Sequence, residues 1–284
     1  MNPLPLVPDV TTLSKRVIRI LGQNGPSKFV LQGTNTYLIG TGKSRILLDT
    51  GEGVPEYLPH LTSVLDREKC SISKVLLSHW HHDHVDGLPS VRDLLQSRAQ
   101  PDPEVWKFPH ESDEEGWLSL RDQDEIQVEG ATLRAVHTPG HTTDHLSFLL
   151  LEDNVLFTAD HILGGSTSVF EDLKTYMSSL RKLDGLQVGT LYPGHGLEMK
   201  NGVQIIKDYI NHRQAREDQI VKVLQEIRSG SAMDIVKVVY RDVREDLHFA
   251  AEHGVTQHLA KLEQEGRVSQ QKGDHWKLTG QARI

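Results

Sequence analysis

The sequence predicts an α/β protein in which strands and helices form a layered sandwich, followed by a small winged-helix-like module. Short apolar or alternating runs, bounded by Gly, Asn or Thr-Gly turns, are typical of strands and recur through the first two thirds of the chain. Helical patterns separate and follow these runs, which favours two similar β-rich halves with helices outside. After Gly230 the pattern changes to helix, helix and hairpin, which predicts the C-terminal module.

The first half of the chain is predicted to alternate strands with two helices. Four runs have the composition and turn boundaries of strands, namely VIRIL, KFVLQ, NTYLIG and RILLDTG. A helix is predicted over residues 55–68, a buried strand over KVLLSH (74–79), and a second helix near residues 85–96. Residues 97–124 are polar and rich in proline and acidic residues, so we expect a surface insertion or flap rather than core.

The second half repeats this arrangement. Further strands are predicted at DEIQV, ATLRAVH, HLSFLLL, NVLFTAD and GTLYPGH. Helices are predicted over residues 169–184 and, much longer, over residues 203–228. We therefore assign residues 1–230 to a main domain and residues 231–284 to the C-terminal module. The module is expected to pack against the main domain or a second copy, with nucleic-acid contact as the alternative.

The composition is that of a globular protein. The chain has 284 residues, of which 37% are apolar, and no apolar run approaches the roughly 20 residues needed to cross a membrane. The first residues, MNPLPLVPDVTTLSKRV, contain no continuous apolar segment, so we expect a cytoplasmic or mitochondrial matrix protein, not a secreted one. The single cysteine, Cys70, excludes an intramolecular disulfide and fits a reducing compartment.

The net charge does not indicate a uniformly basic nucleic-acid-binding protein. The formal charge is −8, but residues 200–284 contain 14 basic and 12 acidic residues, against 17 and 27 in the rest. An anionic partner is therefore expected to meet the C-terminal part. The candidate contacts on the long predicted helix are Arg213, Arg216, Lys222 and Arg228. A solvated helix face is the simpler explanation of these four residues.

The stretch SHWHHDH (Ser78–His84) places four histidines and an aspartate directly after an apolar strand. A tight loop at the end of a strand can direct several side chains towards one point. Neutral imidazole and carboxylate groups together suit zinc, and also manganese or iron. The candidate ligands in this loop are His79, His81, Asp83 and His84.

One loop cannot complete a coordination shell, and three further candidate ligands follow other apolar runs. His141 lies in LRAVHTPGHT, Asp160 ends NVLFTAD, and His195 ends GTLYPGH. All four loops are expected at one edge of the layered fold. Five histidines and two aspartates would then meet at that edge.

The motifs HxHxDH, TPGHT, a strand-terminal aspartate and PGHG, in this order, resemble those of the metallo-β-lactamase superfamily. The resemblance covers about residues 15–230 and implies the αββα sandwich of that family. It also implies two divalent metal ions, with zinc expected first and manganese or iron as alternatives. A hydroxide held between two such ions would attack the substrate without a protein nucleophile, and no GxSxG elbow of a serine hydrolase is present.

The resemblance also implies a role for each candidate ligand. One ion would be held by His79, His81 and His141, and the other by Asp83, His84 and His195. Asp160 would bridge the two ions, so Asp83 and Asp160 are the carboxylates expected to act in catalysis. Asp49 in LLDTG matches an aspartate that supports a ligand histidine, with turn capping as the alternative. His82 is expected to face solvent and Trp80 to pack.

The sequence departs from the family pattern beside the bridging aspartate. Many members have glycine before this aspartate, whereas this chain has Ala159, and His161 follows it. Both residues are expected to alter the pocket without removing a ligand.

The stretches LQGTNTYLIG, SVFEDLKTYMSSL and YPGHG resemble two related branches of the superfamily. One is the lactamase-β-like-2 group, which includes a mitochondrial endoribonuclease for single strands and has a similar C-terminal module. The other consists of fungal thioesterases that release polyketides from carrier proteins. The whole-chain layout favours cleavage of single-stranded RNA, with hydrolysis of acyl thioesters on an acyl carrier protein as the alternative.

Other functions fit the sequence less well. Glyoxalase II would need a basic glutathione site, which we cannot locate, and antibiotic hydrolysis would need export. A non-catalytic binding scaffold would be expected to have lost metal ligands, whereas all seven are present.

Overall fold

Two β-sheets, with helices on their outer sides, form the main body of the molecule. The computed structural model describes residues 6–27, 30–111, 113 and 115–280. The first sheet has seven strands in chain order: β1 (Val10–Thr12), β2 (Val17–Leu21), β3 (Asn35–Ile39), β4 (Ser44–Leu48), β5 (Ser71–Leu77), β6 (Glu104–Lys107) and β7 (Leu118–Ser119). Strands β1 to β4 are antiparallel neighbours, whereas β4 to β7 run parallel.

The second sheet has six strands, also adjacent in chain order. They are β8 (Glu125–Val128), β9 (Ala131–His137), β10 (Leu146–Leu150), β11 (Val155–Ala159), β12 (Thr190–Pro193) and β13 (Met199–Lys200). Strands β11 and β12 are parallel and the other neighbours are antiparallel. Because parallel strands end at the same edge of a sheet, the loops after β4 and β5 lie together, as do those after β11 and β12.

Helices cover the outer face of each sheet. The described α-helices are α1 (Tyr57–Glu68), α2 (His82–Val85), α3 (Leu88–Ser97), α4 (Leu173–Asp184), α5 (Gly202–Ile227), α6 (Ala232–Val239) and α7 (His248–Gln264). The first sheet packs against α1 and α3, and the second packs against α4 and the first half of α5. None of the helices in the described part of the chain combines the length and apolar character of a membrane span.

The central strands are buried on both faces, which explains why the sequence shows continuous apolar runs there. In β2, Val17 contributes to the core between the sheets, whereas Ile18 packs under α1 and α3. In β10, Phe148 lies between the sheets and Leu149 faces α4. The predicted αββα sandwich is therefore confirmed.

Two expectations about the first sheet are wrong. KFVLQ was expected to be a strand, but Lys28 and Phe29 lie outside the described residues, and the described part forms a turn in which Leu31 has a φ of 55°. Residues 97–124 are more than a surface flap, because β6 and β7 extend the sheet. Lys107 in β6 is buried and forms ion pairs with Asp113 and Asp144, so the apolar pattern could not reveal this strand.

The C-terminal module is a small winged helix. Helices α6 and α7 pack on a sheet with the order β14 (Gly230–Ser231), β16 (His275–Leu278) and β15 (Val268–Gln271). Its core also takes Ile220 and Leu224 from the last turns of α5. Helix α7 contacts α4 and α5, as expected for a module that packs against the main domain.

The buried His258 of α7 is expected to make the protein sensitive to acid. Burial, followed by the positive charges of Arg213, Lys261 and Arg216 and by His212, lowers the pKa of His258 to about 3. The unfolded chain, with a histidine pKa of about 6.5, binds more protons than the folded chain below that pH. The stability contributed by neutral His258 is thus present above pH 6.5 and is lost as the pH falls towards 3. At pH 5 the loss is about 2 kcal/mol.

Chemical denaturation at pH 7 and pH 5 tests this expectation. Residue 258 of the His258→Gln variant cannot take up a proton. Between pH 7 and pH 5, the free energy of unfolding of this variant is therefore expected to decrease by about 2 kcal/mol less than that of the parent protein. Equal pH dependence of the two proteins would show that His258 does not titrate on unfolding.

Candidate metal centre

Four loops at one edge of the sandwich bring the seven predicted ligands together. His79 and His81 follow β5, Asp83 and His84 lie in the short helix α2, His141 lies between β9 and β10, Asp160 follows β11, and His195 follows β12. All are buried except His81, which is partly exposed. The two sheets meet at this edge through backbone hydrogen bonds, such as Asn35 N–H to the Gly194 carbonyl at 2.7 Å.

Three histidines form the first half of the centre. The Nδ1 atom of His81 lies 3.0 Å from Nε2 of His79 and 3.1 Å from Nε2 of His141. Asp160 completes this group, with Oδ2 at 3.7 Å from Nε2 of His141. Three imidazole nitrogens and a carboxylate oxygen thus surround one point.

An aspartate and two histidines form the second half. Oδ2 of Asp83 lies 3.3 Å from Nε2 of both His84 and His195. The two oxygens of Asp160 lie 3.4 Å from Nε2 of His84 and 3.2 Å from Nε2 of His195. Asp160 therefore lies between the two groups, where the sequence analysis placed a bridging ligand.

The donor set fits two divalent cations. Ligand atoms bound tetrahedrally to zinc at about 2.0–2.1 Å are about 3.3 Å apart, close to the separations found here. Nε2 of His84 and Oδ1 of Asp160 are buried, and neither has a hydrogen-bond partner in the described part of the chain. Burying polar atoms without a partner costs free energy, and a bound cation would supply the missing partner here. Mixed imidazole and carboxylate donors suit zinc, manganese or iron.

Hydrogen bonds on the far side of three rings point the lone pairs into the centre. Nδ1 of His141 donates to the Val169 carbonyl at 2.7 Å, and Nδ1 of His195 faces the Gly33 carbonyl at 3.3 Å. Nδ1 of His84 lies 2.8 Å from Oδ2 of Asp49. Because these oxygens accept a hydrogen bond from Nδ1–H of each ring, the Nε2 atom carries the lone pair and is free to act as a ligand.

Asp49 lies beside His84 of the HxHxDH loop and beside the serine that precedes this loop. Beside the contact with His84, its carboxylate accepts the backbone N–H and the hydroxyl of Ser78, both at 2.8 Å. The Ser78 hydroxyl lies in turn 3.0 Å from Nδ1 of His79. Asp49 therefore caps the turn before the HxHxDH loop and also contacts the candidate ligand His84, which fits both roles considered for it.

The protein arranges negative charge so that the second half attracts cations. Burial opposes a charge on His84 and His195, but the neighbouring carboxylates outweigh it. Asp83, Asp160 and Asp49 together raise the pKa of His84 well above its ordinary value, and Asp160 with Asp83 raises that of His195 to about 9. A divalent cation satisfies the same carboxylates once it displaces these protons.

In the first half, the histidines are held neutral. Burial, reinforced by His84 and His141, lowers the pKa of His79 well below its ordinary value. Burial and the same two neighbours lower the pKa of His81 to about 4. Neutral imidazole is the form that binds a metal ion, so this half is ready to bind at neutral pH.

Two buried histidines lie behind the candidate ligands, and the sequence analysis missed one of them, His145. Nε2 of His145 accepts the backbone N–H of Asp160 at 3.3 Å, and its Nδ1 lies 2.8 Å from the Thr138 hydroxyl. His161 is also fully buried, and its ring lies 4.3 Å from that of Tyr176 at an interplanar angle of 37°. His145 follows the TPGHT motif closely, and that proximity was the available signal.

Tight backbone approaches explain two small residues at the centre. A Cβ at Gly194 would lie 2.4 Å from Oδ1 of Asp160, so only glycine fits beside the bridging carboxylate. Ala159 has a φ of 39°, in the region that favours glycine. This backbone conformation accounts for the glycine that many members of the family have at that position, although this chain has alanine there.

Five of the seven candidate ligands line a cleft of about 600 Å³, namely His81, Asp83, His141, Asp160 and His195. One wall consists of residues 166–169, and Asn24, Ser27, Val30 and Glu52 contribute the other. The side chain of His82 is 66% exposed at the rim and lies 3.7 Å from Glu52. Trp80 is 37% exposed and stacks on His110, so it is not the purely packing residue that was expected.

The four basic residues proposed to face an anionic partner do not form one surface. The side chain of Arg213 makes its contacts within the protein. Its guanidinium donates to the Ser168 carbonyl at 2.9 Å and lies over the ring of Phe170. Arg216 lies over the ring of Tyr240 in the module. Lys222 and Arg228 are exposed further along α5.

Comparison with known proteins relates both parts of the chain to one family. Residues 30–195 match the model of the Metallo-beta-lactamase superfamily, and residues 231–276 match that of the Beta-lactamase associated winged helix domain.

A Beta-lactamase-like protein 2 homolog of Drosophila melanogaster is 46% identical over 277 residues, which cover 93% of this chain and 94% of the relative. Thioesterase pkgB of Emericella nidulans is 48% identical over 222 residues, which cover 78% of this chain and 63% of that protein. The crystal structure of a Beta-lactamase domain protein from Burkholderia ambifaria shares the fold, with a TM-score of 0.77 at 18% identity over 98% of this chain and 96% of that one.

Proposed function

The chain belongs to the metallo-beta-lactamase superfamily, a family of metal-dependent hydrolases, and from this premise we propose that it is an endonuclease that cleaves single-stranded RNA. The observation that carries the proposal is the pair of candidate ligand groups, seven residues in all, of which five line a cleft. Paired metal sites are common in enzymes that cleave phosphodiester bonds. The chain is similar to a Beta-lactamase-like protein 2 homolog over nearly its full length, and the group that its motifs resemble includes an endoribonuclease.

The side chains of the centre have separable tasks in this reaction. Two bound divalent ions would supply activation of water at neutral pH and polarisation of the scissile phosphate. Asp160 and Asp83 would provide the negative charge that holds both ions, and the Thr34 hydroxyl donates to Oδ2 of Asp83 at 2.8 Å, which fixes that carboxylate. Ser166, an exposed polar residue of one cleft wall, would be available to orient a substrate by hydrogen bonding.

A thioesterase is the second candidate, and the lining of the cleft favours it. Among the described lining residues there is no lysine or arginine, while Val30, Leu163 and Val169 are apolar. Val169 is 54% exposed, as a contact for an acyl chain would be. The relative named Thioesterase pkgB is 48% identical to this chain. In this case the partner would be an acyl carrier protein.

One assay with two substrates separates these functions. Zinc-loaded protein would be given labelled single-stranded RNA and, separately, an acyl thioester on a carrier protein, with Asp160→Ala as the blank. The proposal predicts RNA fragments that the blank does not produce, and product ends generated by hydrolysis. Thioester cleavage with intact RNA would overturn the choice of substrate while keeping the hydrolase.

A further inference from the structure

One wall of the cleft is hydrogen-bonded to the metal ligands. The Val169 carbonyl accepts Nδ1–H of His141 at 2.7 Å. The hydroxyl of Ser168 donates to the backbone carbonyl of Asp160 at 2.5 Å. Any shift of residues 168–169 therefore changes the orientation of His141 and the position of the bridging aspartate.

This wall is held from outside by two side chains of α5. Nη2 of Arg213 donates to the Ser168 carbonyl at 2.9 Å, and its guanidinium lies over Phe170 with the carbon 4.8 Å from the ring centroid. One turn earlier, the Tyr209 hydroxyl donates to the Ser166 carbonyl at 2.8 Å. A planar guanidinium that both stacks and donates is a geometry that lysine cannot reproduce.

Helix α5 carries these contacts into the C-terminal module. Glu217, one turn after Arg213, is buried and pairs with Lys261 of α7 at 2.5 Å and with Arg267 before β15 at 2.6 Å. Gln264 of α7 also reaches Asp172, the N-cap of α4, at 3.4 Å. The module therefore fixes the part of α5 from which Arg213 extends.

We propose that Arg213 is a positioning residue of the metal centre: it holds the 168–170 wall and thereby orients His141 for metal binding. The winged-helix module acts on the centre through this same contact, as a support for α5. This role is the same whether the substrate is RNA or a thioester. It also differs from the role of a basic surface residue, because it requires no contact with the substrate.

Metal binding in the absence of substrate tests the role of Arg213. Arg213→Ala is expected to weaken zinc binding at the His79, His81 and His141 group by about tenfold or more, as loss of a group supporting a ligand commonly does. The absorption of the cobalt-loaded protein should change for one of its two ions. Arg213→Lys keeps the positive charge and most of the volume, and should recover only part of the affinity. In turnover, kcat should fall while KM stays within about twofold.

Lys207→Ala is the matched control, since it removes an exposed positive charge from the same helix. Its zinc affinity and cobalt spectrum should equal those of the parent protein. The proposal is overturned if Arg213→Ala, or Arg213→Lys where the alanine variant does not fold, binds both metals with the affinity and spectrum of the control. A lower melting temperature with unchanged metal binding would likewise reduce Arg213 to a structural residue.

Discussion

Asp160→Ala is expected to reduce turnover by more than about 10³-fold, beyond the 10–100-fold typical for a group that only supports a ligand. Its carboxylate lies between the two ligand groups, within 3.4 Å of His84 and 3.2 Å of His195. Burial alone would raise the pKa of Asp160, but His195 and His84 hold it well below the ordinary value, so the group is a carboxylate. Without it, the two ions would lose the ligand proposed to bridge them and one compensating charge.

The measurement is turnover together with metal content of the folded variant. Asp160→Ala should bind fewer than two equivalents of zinc, and Asp160→Asn, which has the same shape without the charge, should behave similarly. Asp153→Asn is the control, because Asp153 lies beyond the other end of β11 and pairs with Arg16 at the surface. Near-normal turnover of Asp160→Ala would remove the bridging carboxylate from the mechanism.

Asp49→Asn has the second largest expected effect. The carboxylate accepts three hydrogen bonds, from the backbone and hydroxyl of Ser78 and from His84. An amide in place of the carboxylate points N–H groups at these hydrogen-bond donors. His84 would then lose the hydrogen bond that orients its ring and the neighbouring negative charge that makes it a stronger ligand. We expect zinc affinity at the second group to fall by about 10–100-fold.

Competition with a chelator of known affinity measures this loss. Ser78→Ala removes one of the three contacts of Asp49 and should cause a smaller loss. If Asp49→Asn bound two zinc ions as tightly as the parent protein, the carboxylate would be a turn cap without a role in metal binding.

The sequence was informative about the site because of a property of sheets. Each predicted ligand follows an apolar run, and strands of a sandwich that end at one edge bring such residues together whatever their separation in the chain. His79 and His195 are 116 positions apart by number, yet both adjoin Asp160 in space. Their roles as ligands remain predictions that metal binding has to test.

The differences between the sequence predictions and the structure also have physical causes. Strand β6 was hidden because Lys107 is buried as an ion pair with Asp144, and polar composition normally indicates surface. Arg213 was read as a surface charge, because helical spacing does not show which loop packs against a helix. His145 was missed because its partner is the backbone N–H of Asp160, a contact that no motif encodes.

A zinc titration of metal-free protein, in which metal content and RNA turnover are measured on the same samples, tests the two-metal centre most directly. We expect no turnover without metal, a rise that saturates at two equivalents per chain, and no comparable rise for Asp160→Ala. Full turnover of the metal-free protein would contradict the two-metal mechanism. So would binding of two zinc ions per chain by a variant that lacks the seven predicted ligands.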